Sequence, residues 1–455
     1  MKKCAKFGGS SVANAEQIKK VCKIVLSDEN IRAVTVSAPG KRFDEDIKVT
    51  DMLIDLYEKF RNKDPKYKDS LEAVIKRYQE IVNDLKLDEE ILQDYRDILN
   101  SYLKNIDDSF YLENAIKACG EDFNARLIAK YIKSLGVNCS YLSPKTAGIL
   151  VEHTLSEPVI LEKTYENLNK FKDRDELFII PGFFAYTPQG KIITFQRGGS
   201  DITGSIIARG LDCDIYENYT DMSYIYIYTA HPKLIENPKE ITNITYKEMR
   251  ELSYNGFEIF QEDAVAPLLS HNIKIHVKNT NDPNNGGTII ETKRDDVDKN
   301  PIIGISNVGD FIAFNIREYL MNKKIGYINK LLDIFEYQHI PVEHIPTGID
   351  SLAILVRKKY INSEFQMQNI INTIKANFSF DEFEIIDDIS AIAIVGEGLS
   401  QRVGNALYKI SKVLYEEDIK LESIIQGASK NSVFVFINKK YEKIAIEKLY
   451  REFFE

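Results

Sequence analysis

The sequence predicts an α/β protein: a mainly parallel sheet covered by helices, followed by a second region of smaller units. Three observations carry this. Strand and helix patterns alternate over about 300 residues, the signature of strands joined by helical crossovers. Ala33 to Ala38 is a near-continuous apolar run, as in strands buried on both faces of a parallel sheet. Several strands run into glycine turns, and open parallel sheets hold ligands at the carboxyl ends of their strands.

In chain order, Lys2 to Phe7 reads as a strand running into Gly8-Gly9-Ser10-Ser11. A helix follows, with Ile18, Val21, Cys22 and Val25 spaced for one buried face. After Ala38, Pro39-Gly40 breaks the strand, and Thr50-Asp51 starts the next helix. From there to about Leu135 the chain is charged and helical, with breaks at Asp64-Pro65 and Asp88. Both a lid over a site and a plain structural extension fit this stretch. Ala118-Cys119-Gly120-Glu121-Asp122 is expected to open a further helix, with Glu121 near its positive end. Strands are expected at Val137–Leu142 and Leu177–Ile180, the latter ending in Pro181-Gly182-Phe183-Phe184.

Lys191 to Phe195 alternates and is β-branched, as strands prefer. It enters Arg197-Gly198-Gly199-Ser200-Asp201, where two glycines permit a sharp turn. Ser200 can cap the helix that follows, and Asp201 suits its first turn. Free amides at such a start attract anions, and Arg197 offers a planar fork for a carboxylate or phosphate. Any tight strand-to-helix turn would also look like this. Strands at Ile215–Tyr219 and Ile273–Val277 and a helix over Thr245–Phe260 complete the first region.

Glu291 to Asn300 is charged and poor in apolar residues, as a linker is. Beyond it, strands are expected at Ile302–Ile305, Phe311–Ile316, Val342–Ile345 and Leu352–Val356, with helices near 325–338 and 366–376. A second round has strands at Ala391–Val395, Leu421–Gln426 and Val433–Ile437 and helices at Val403–Tyr415 and Lys440–Phe453. Two β-α-β-β-α-type units of roughly 70 residues therefore form an internal repeat.

Composition excludes several classes. A net charge of -10 argues against nucleic acid as the main partner. No apolar run is long enough for a membrane span, and the N-terminus lacks an apolar signal region. Five scattered cysteines without a CxxC pair argue against a zinc site or disulfide framework and for a reducing, cytoplasmic home. The histidines have no metal spacing. There is no G-x-x-x-x-G-K-[ST] loop, and no G-x-G-x-x-G run follows a strand.

Lys6-Phe7-Gly8-Gly9-Ser10-Ser11, Arg197-Gly198-Gly199-Ser200-Asp201 and Asn279-Thr280 with Gly286-Gly287-Thr288 resemble the aspartokinases in order and spacing. So do Val395-Gly396-Glu397-Gly398 and Gln426-Gly427-Ala428-Ser429, and the resemblance covers essentially the whole chain. Val36-Ser37-Ala38-Pro39-Gly40-Lys41 and Pro181-Gly182-Phe183-Phe184 resemble the single-function, lysine-responsive kind of low-GC Gram-positive bacteria. The resemblance implies a three-layer αβα amino-acid-kinase-type sandwich over 1–297, with a helical insertion at about 52–115. It also implies two ferredoxin-like ACT domains, at 298–385 and 386–455. The chain ends after the second repeat, so a fused homoserine dehydrogenase is not expected.

The implied reaction is transfer of the γ-phosphoryl of MgATP to the side-chain carboxylate of L-aspartate. A carboxylate is already ionised at neutral pH, so no general base is needed. Catalysis then consists of positioning and charge neutralisation. By resemblance Lys6, with Gly8, Gly9 and Ser10, holds the transferring group, and Lys6 and Asp201 are the catalytic pair. Arg197 clamps the substrate α-carboxylate. Ser37, Thr50, Glu121, Phe183, Gly199 and Ser200 line the aspartate side; Thr220, Asp221 and Lys233 line the nucleotide side. No protein metal site is expected, Mg²⁺ arriving with ATP.

The sequence departs from the family at the nucleotide side. His231 and Lys233 stand where the family has an acid and an arginine, Tyr219 replaces a tryptophan, and Glu258 replaces a lysine. The ACT-like repeat implies L-lysine inhibition and a homodimer or dimer of dimers. Met321, Tyr327, Val342, Glu343 and Asp350 are the expected lysine contacts by motif position; ordinary core and surface roles also fit them. Two alternatives remain: a related kinase acting on glutamate, and a non-catalytic amino-acid-binding regulator.

Overall fold

A computed structural model describes residues 1–154, 157–196, 198–228, 234–254 and 264–455. The chain divides into two compact units. The first gathers the described residues of Met1–Ile225, Glu240–Tyr246 and Ile259–Arg294; the second gathers those of Tyr226–Lys239, Lys247–Glu258 and Asp295–Glu455.

The first unit is an αβα sandwich. Its elements are β1 (Lys3–Phe7), α1 (Ala15–Leu26), β2 (Ile31–Val36), α2 (Val49–Arg61), α3 (Tyr67–Asp84), α4 (Glu90–Asn105), α5 (Ser109–Ser134) and β3 (Cys139–Tyr141). They continue with β4 (Leu177–Pro181), β5 (Phe184–Tyr186), β6 (Ile192–Thr194), α6 (Gly199–Gly210), β7 (Ile215–Thr220), β8 (Asn243–Thr245), β9 (Lys274–Asn279) and β10 (Thr288–Glu291). Eight strands form one sheet in the order β8-β10-β9-β7-β1-β2-β4-β3, parallel except that β10 runs against β9. Strand alternation assigns the faces of β1. Ala5 and Phe7 join the core that contains α1 to α5. Cys4 and Lys6 face the other way, where Cys4 Sγ lies 3.7 Å from the Gly204 carbonyl of α6 and Lys6 meets Asp201.

The helical insertion is part of that single core. Leu53, Leu56, Leu71, Val74, Tyr78, Tyr95 and Leu99 are buried with Ile116, Phe123 and Ile128 of α5. Tyr95 stacks on Phe123 with ring centroids 4.1 Å apart, and the Tyr78 hydroxyl donates to the Gly120 carbonyl at 2.6 Å. These helices share the hydrophobic core of the sandwich.

Two expectations fail locally. Residues 118–122 do not open a helix, because they lie in the middle of the 26-residue α5. Gly120 reads as a break in sequence but serves close packing: a Cβ there would sit 2.8 Å from the Ala38 Cβ. Ser200 is not the cap of α6. Gly198 is the cap residue, with φ 78°, and Ser200 is buried inside the first turn. A left-handed entry favours glycine. Strand β6 lies outside the main sheet, in a hairpin with β5.

The second unit contains β11 (Gly304–Arg317), α7 (Tyr327–Tyr337), β12 (Ser351–Arg357), α8 (Glu364–Asn377), β13 (Glu382–Val395), α9 (Leu399–Glu416), β14 (Leu421–Ile425), β15 (Ser432–Asn438) and α10 (Glu442–Phe454). They form one antiparallel sheet, β12-β11-β13-β15-β14. The two strands expected at Ile302–Ile305 and Phe311–Ile316 are one, β11. Its partner β13 crosses the 385/386 boundary, so both α+β units share these two 14-residue strands. Val342–Ile345 forms no strand; only an isolated bridge joins His344 to Leu355. Pro341 and Pro346 flank it and donate no amide to a ladder.

All five cysteines are buried and unbridged. Among the described residues no helix is long and apolar enough to cross a membrane.

Candidate active site

The site forms at the carboxyl ends of β1, β2, β4, β7 and β9. Here β1 becomes the turn Gly8–Val12, whose amides bond within the turn: Ser11 N to Gly8 O at 3.0 Å and Val12 N to Gly9 O at 3.2 Å. Gly8 N donates to Tyr219 O at 3.2 Å, which ties the turn to β7. Ser11 Oγ lies 2.7 Å from Thr280 Oγ1, both buried, and Thr280 N donates to Thr220 O at 2.9 Å.

Lys6 is 8% exposed. Its Nζ lies 2.6 Å from Asp201 Oδ1 in the first turn of α6. Asn218 Nδ2 donates to the same oxygen at 3.1 Å. Asn218 sits directly beside Lys6 in the β1–β7 register, which accounts for the triplet. Two residues read from glycine turns nearly 200 positions apart are thus brought into direct contact.

The aspartate-side residues gather next to this pair. Ser37 N donates to Phe7 O at 3.2 Å, and Asn124 Nδ2 on α5 donates to Ser37 O at 2.7 Å. Glu121, one helical turn before Asn124, is 5% exposed and its Oε2 has no partner. Burial pushes its carboxyl up to about 8, only partly offset by the Ala38 backbone amide. Thr50 lies in the first turn of α2. Phe183 holds φ 75°, an uncommon conformation for a side-chain-bearing residue. The Thr203 hydroxyl accepts from its amide at 3.0 Å, and its carbonyl accepts from Phe195 N at 2.8 Å. Gly199 and Ser200 are buried beneath it.

On the nucleotide side, Thr220 Oγ1 donates to Asp221 Oδ1 at 3.1 Å, and Asn279 Nδ2 reaches Ser223 Oγ at 3.0 Å. Arg197 and Lys233 lie outside the described residues, as do His231 and Glu258. Among the described residues no group of three or more metal-ligating side chains converges. Sequence reasoning missed Asn218 and Asn124, and noted Thr280 only as part of the Asn279-Thr280 motif. For Asn218 the signal was a polar residue within a buried strand, in register with Lys6.

In the second unit the expected lysine contacts separate into two places. Met321 and Tyr327 are buried in the core beneath α7, with Val342 packed against it. Asp350 is beside them, its Oδ1 accepting from Leu320 N at 2.9 Å and its carbonyl from Glu318 N at 2.8 Å. The acid buried next to Tyr327 is Glu318, paired with Lys324. Burial, and then Glu318, push the Tyr327 phenol up. Glu343 is elsewhere, 2.9 Å from Arg357 Nε and accepting from the Tyr254 hydroxyl. Arg357 pairs with Phe311 and Ser351 with Arg317, at opposite ends of the β11–β12 ladder. Six residues of strand span about 20 Å.

Comparison with known proteins gives this geometry its context. The amino acid kinase family model matches residues 1–279, and an ACT domain model matches residues 392–453. Aspartokinase 3 of Bacillus subtilis is 40% identical over 456 residues, covering 99% of this chain and 98% of the relative. The crystal structure of Clostridium acetobutylicum aspartate kinase has a TM-score of 0.89 at 33% identity, covering 99% of this chain and 100% of that one. Escherichia coli aspartokinase III shares the fold at 20% identity over the full length of both chains. Its TM-score is 0.76 in complex with aspartate and ADP and 0.72 in complex with lysine and aspartate. A full-length relative at 40% identity and a kinase-family match over more than half the chain leave one conclusion: this chain belongs to the aspartokinases of the amino acid kinase family, ATP-dependent phosphotransferases with a carboxyl acceptor.

Proposed function

We propose that the enzyme transfers the γ-phosphoryl group of ATP to the side-chain carboxylate of L-aspartate, giving 4-phospho-L-aspartate. This would be the first step toward lysine, threonine and methionine. The observation that carries the reading is the Lys6–Asp201 pair, 2.6 Å apart between the glycine turn of β1 and the start of α6. It places one cation and one acid where a phosphoryl donor and an amino-acid acceptor would meet. Lys6 and the amides of Gly9 and Ser10 neutralise the transferring group, the Gly8 amide being taken by Tyr219 O, and Thr220, Asp221 and Lys233 hold the nucleotide. Arg197 clamps the substrate α-carboxylate, and Glu121 takes its ammonium. Ser37, Thr50, Phe183, Gly199 and Ser200 complete the pocket. Asp201 would help hold the Mg²⁺ that arrives with ATP; among the described residues no group of three or more metal-ligating side chains forms an all-protein cage. That ion would supply charge neutralisation between two anions.

L-Lysine would regulate the enzyme by favouring one of two states, binding at Met321, Tyr327, Val342, Glu343 and Asp350 in a homodimer or dimer of dimers. The separation of Glu343 from Asp350 makes the Met321–Tyr327–Asp350 end the better supported half.

The test is product formation with ATP, Mg²⁺ and hydroxylamine in the presence of aspartate or glutamate. Hydroxamate with aspartate supports the reading. Product only with glutamate, or none with either acid, overturns it. Millimolar lysine that changes neither rate nor melting temperature removes the regulatory part.

A further inference from the structure

On α3 the buried face reads Leu71, Val74, Ile75, Tyr78, Ile81 and Val82, interrupted by a buried cation, Arg77, engaged through Nη2 while its Nε has no partner. Arg77 is 4% exposed. Burying a guanidinium is costly unless it is paired and hydrogen-bonded. Arg77 Nη2 donates to the Ala13 carbonyl and to the Gly40 carbonyl, each at 2.9 Å, and lies 3.3 Å from Asp46 Oδ2. The two carbonyls belong to different loops. Ala13 ends the turn that follows β1, and Gly40 lies in the loop after β2. These loops already touch: Gly40 N donates to Gly9 O at 2.9 Å, and a Cβ on Gly40 would lie 2.6 Å from the Gly9 carbonyl carbon. Asp46 is held in turn by Arg42 Nε at 2.7 Å, and Arg42 Nη1 reaches Glu80 of α3 at 2.6 Å. Both ends of the strap are therefore anchored on one helix.

We propose that Arg77 is a positioning residue: from the helical insertion it straps the Gly8–Ala13 turn to the Gly40 loop and so sets the Gly9 and Ser10 amides that receive the nucleotide phosphates. The inference rests on reading that turn as the phosphate side. It explains why the insertion shares the core of the sandwich instead of hinging over it. It also predicts asymmetry. On the aspartate side, Phe183, Gly199, Ser200 and Glu121 sit beyond the strap, after β4 and on α6 and α5, whereas Ser37 and Thr50 flank the Gly40 loop, so the aspartate term should fall less than the ATP term.

The experiment compares wild type, R77K and D46N at a temperature well below melting. Lysine keeps the charge, but its shorter side chain and single ammonium do not reproduce the position of Nη2 between the two carbonyls. R77K is expected to lose about tenfold or more in kcat/KM for ATP, the worth of a charge-assisted hydrogen bond, while KM for aspartate changes by a clearly smaller factor. D46N, which releases the Arg77–Arg42 anchor, should show the same split at smaller size. A purely structural role would lower melting temperature without this split. The proposal is overturned if R77K keeps its ATP parameters, or if ATP and aspartate terms fall equally. Should R77K not fold, D46N decides by the same two criteria. Calorimetric ATP affinity, weaker in R77K than in wild type, tests the strap even if no hydroxamate forms, an outcome that would sink only the assigned reaction.

Discussion

Glu121 offers the sharpest quantitative handle on the substrate side. Its carboxyl is raised from an ordinary 4.5 to about 8, chiefly by burial. A folded-state value above the unfolded one means the protonated form suits the fold. Stability is fully present below about pH 4.5 and is lost as pH rises through about 8. At 1.36 kcal/mol per decade, ionising it in the empty site costs about 1.4 kcal/mol at pH 7, and the folded state has by then lost about 3 kcal/mol of stability relative to acid pH. Glutamine is neutral and nearly isosteric, so E121Q should lack this slope: its stability relative to wild type should rise from pH 5 to pH 9. The substrate ammonium changes the balance. A cation beside the carboxylate favours its charged form, so aspartate binding at pH 7 should release about 0.9 proton from wild type. E121Q should release essentially none and should bind aspartate more weakly. Isothermal calorimetry in buffers of different ionisation enthalpy measures the proton count directly. Tight aspartate binding without proton release, or equal release from E121Q, would refute the assignment of Glu121 to the ammonium.

Three further outcomes follow from the same geometry. Lys6→Met removes the cation 2.6 Å from Asp201 and should cut kcat by about a hundredfold or more; a rate within about tenfold of wild type would end its catalytic assignment. Arg197→Ala should raise KM for aspartate by about ten- to a hundredfold, as expected for a charge-assisted pair of about 1.5–3 kcal/mol. ATP affinity, followed by calorimetry, should stay nearly unchanged; equal loss of both would contradict the clamp. Gly204→Ala places a Cβ 2.6 Å from the Tyr216 ring where α6 meets β7. It should cost about 1–3 kcal/mol by overpacking, read by denaturant unfolding, and an unchanged midpoint would show that α6 shifts freely.

Most of the secondary structure was legible because its signals are local. The short strand Lys3–Phe7 running into a glycine turn, the helical spacing after Asn14 and the glycine pair at 198–199 each speak within a dozen residues. Errors arose where a local signal had a distant cause. Gly120 looked like a helix start but exists to let α5 close on Ala38. Ser200 looked like a cap but sits inside a helix entered through a left-handed Gly198. The C-terminal repeat was visible as a pattern, but its strands pair non-locally. No spacing rule announces that β11 and β13 run through both units. Arg77 was invisible for the same reason. A charged residue on an amphipathic helix reads as surface until the loops that bury it are known.

By itself, the sequence determined the α/β class, the two glycine turns, the family and most of the candidate residues, because periodicity, turn chemistry and motif order are properties of the linear chain. Only the tertiary structure decided that Lys6 meets Asp201 and Asn218, that Glu121 is buried with one carboxylate oxygen unpartnered, and that Glu343 is committed to Arg357. Those facts depend on strand register, on which helix covers which face and on exclusion from water. These are set by contacts between residues tens to hundreds of positions apart.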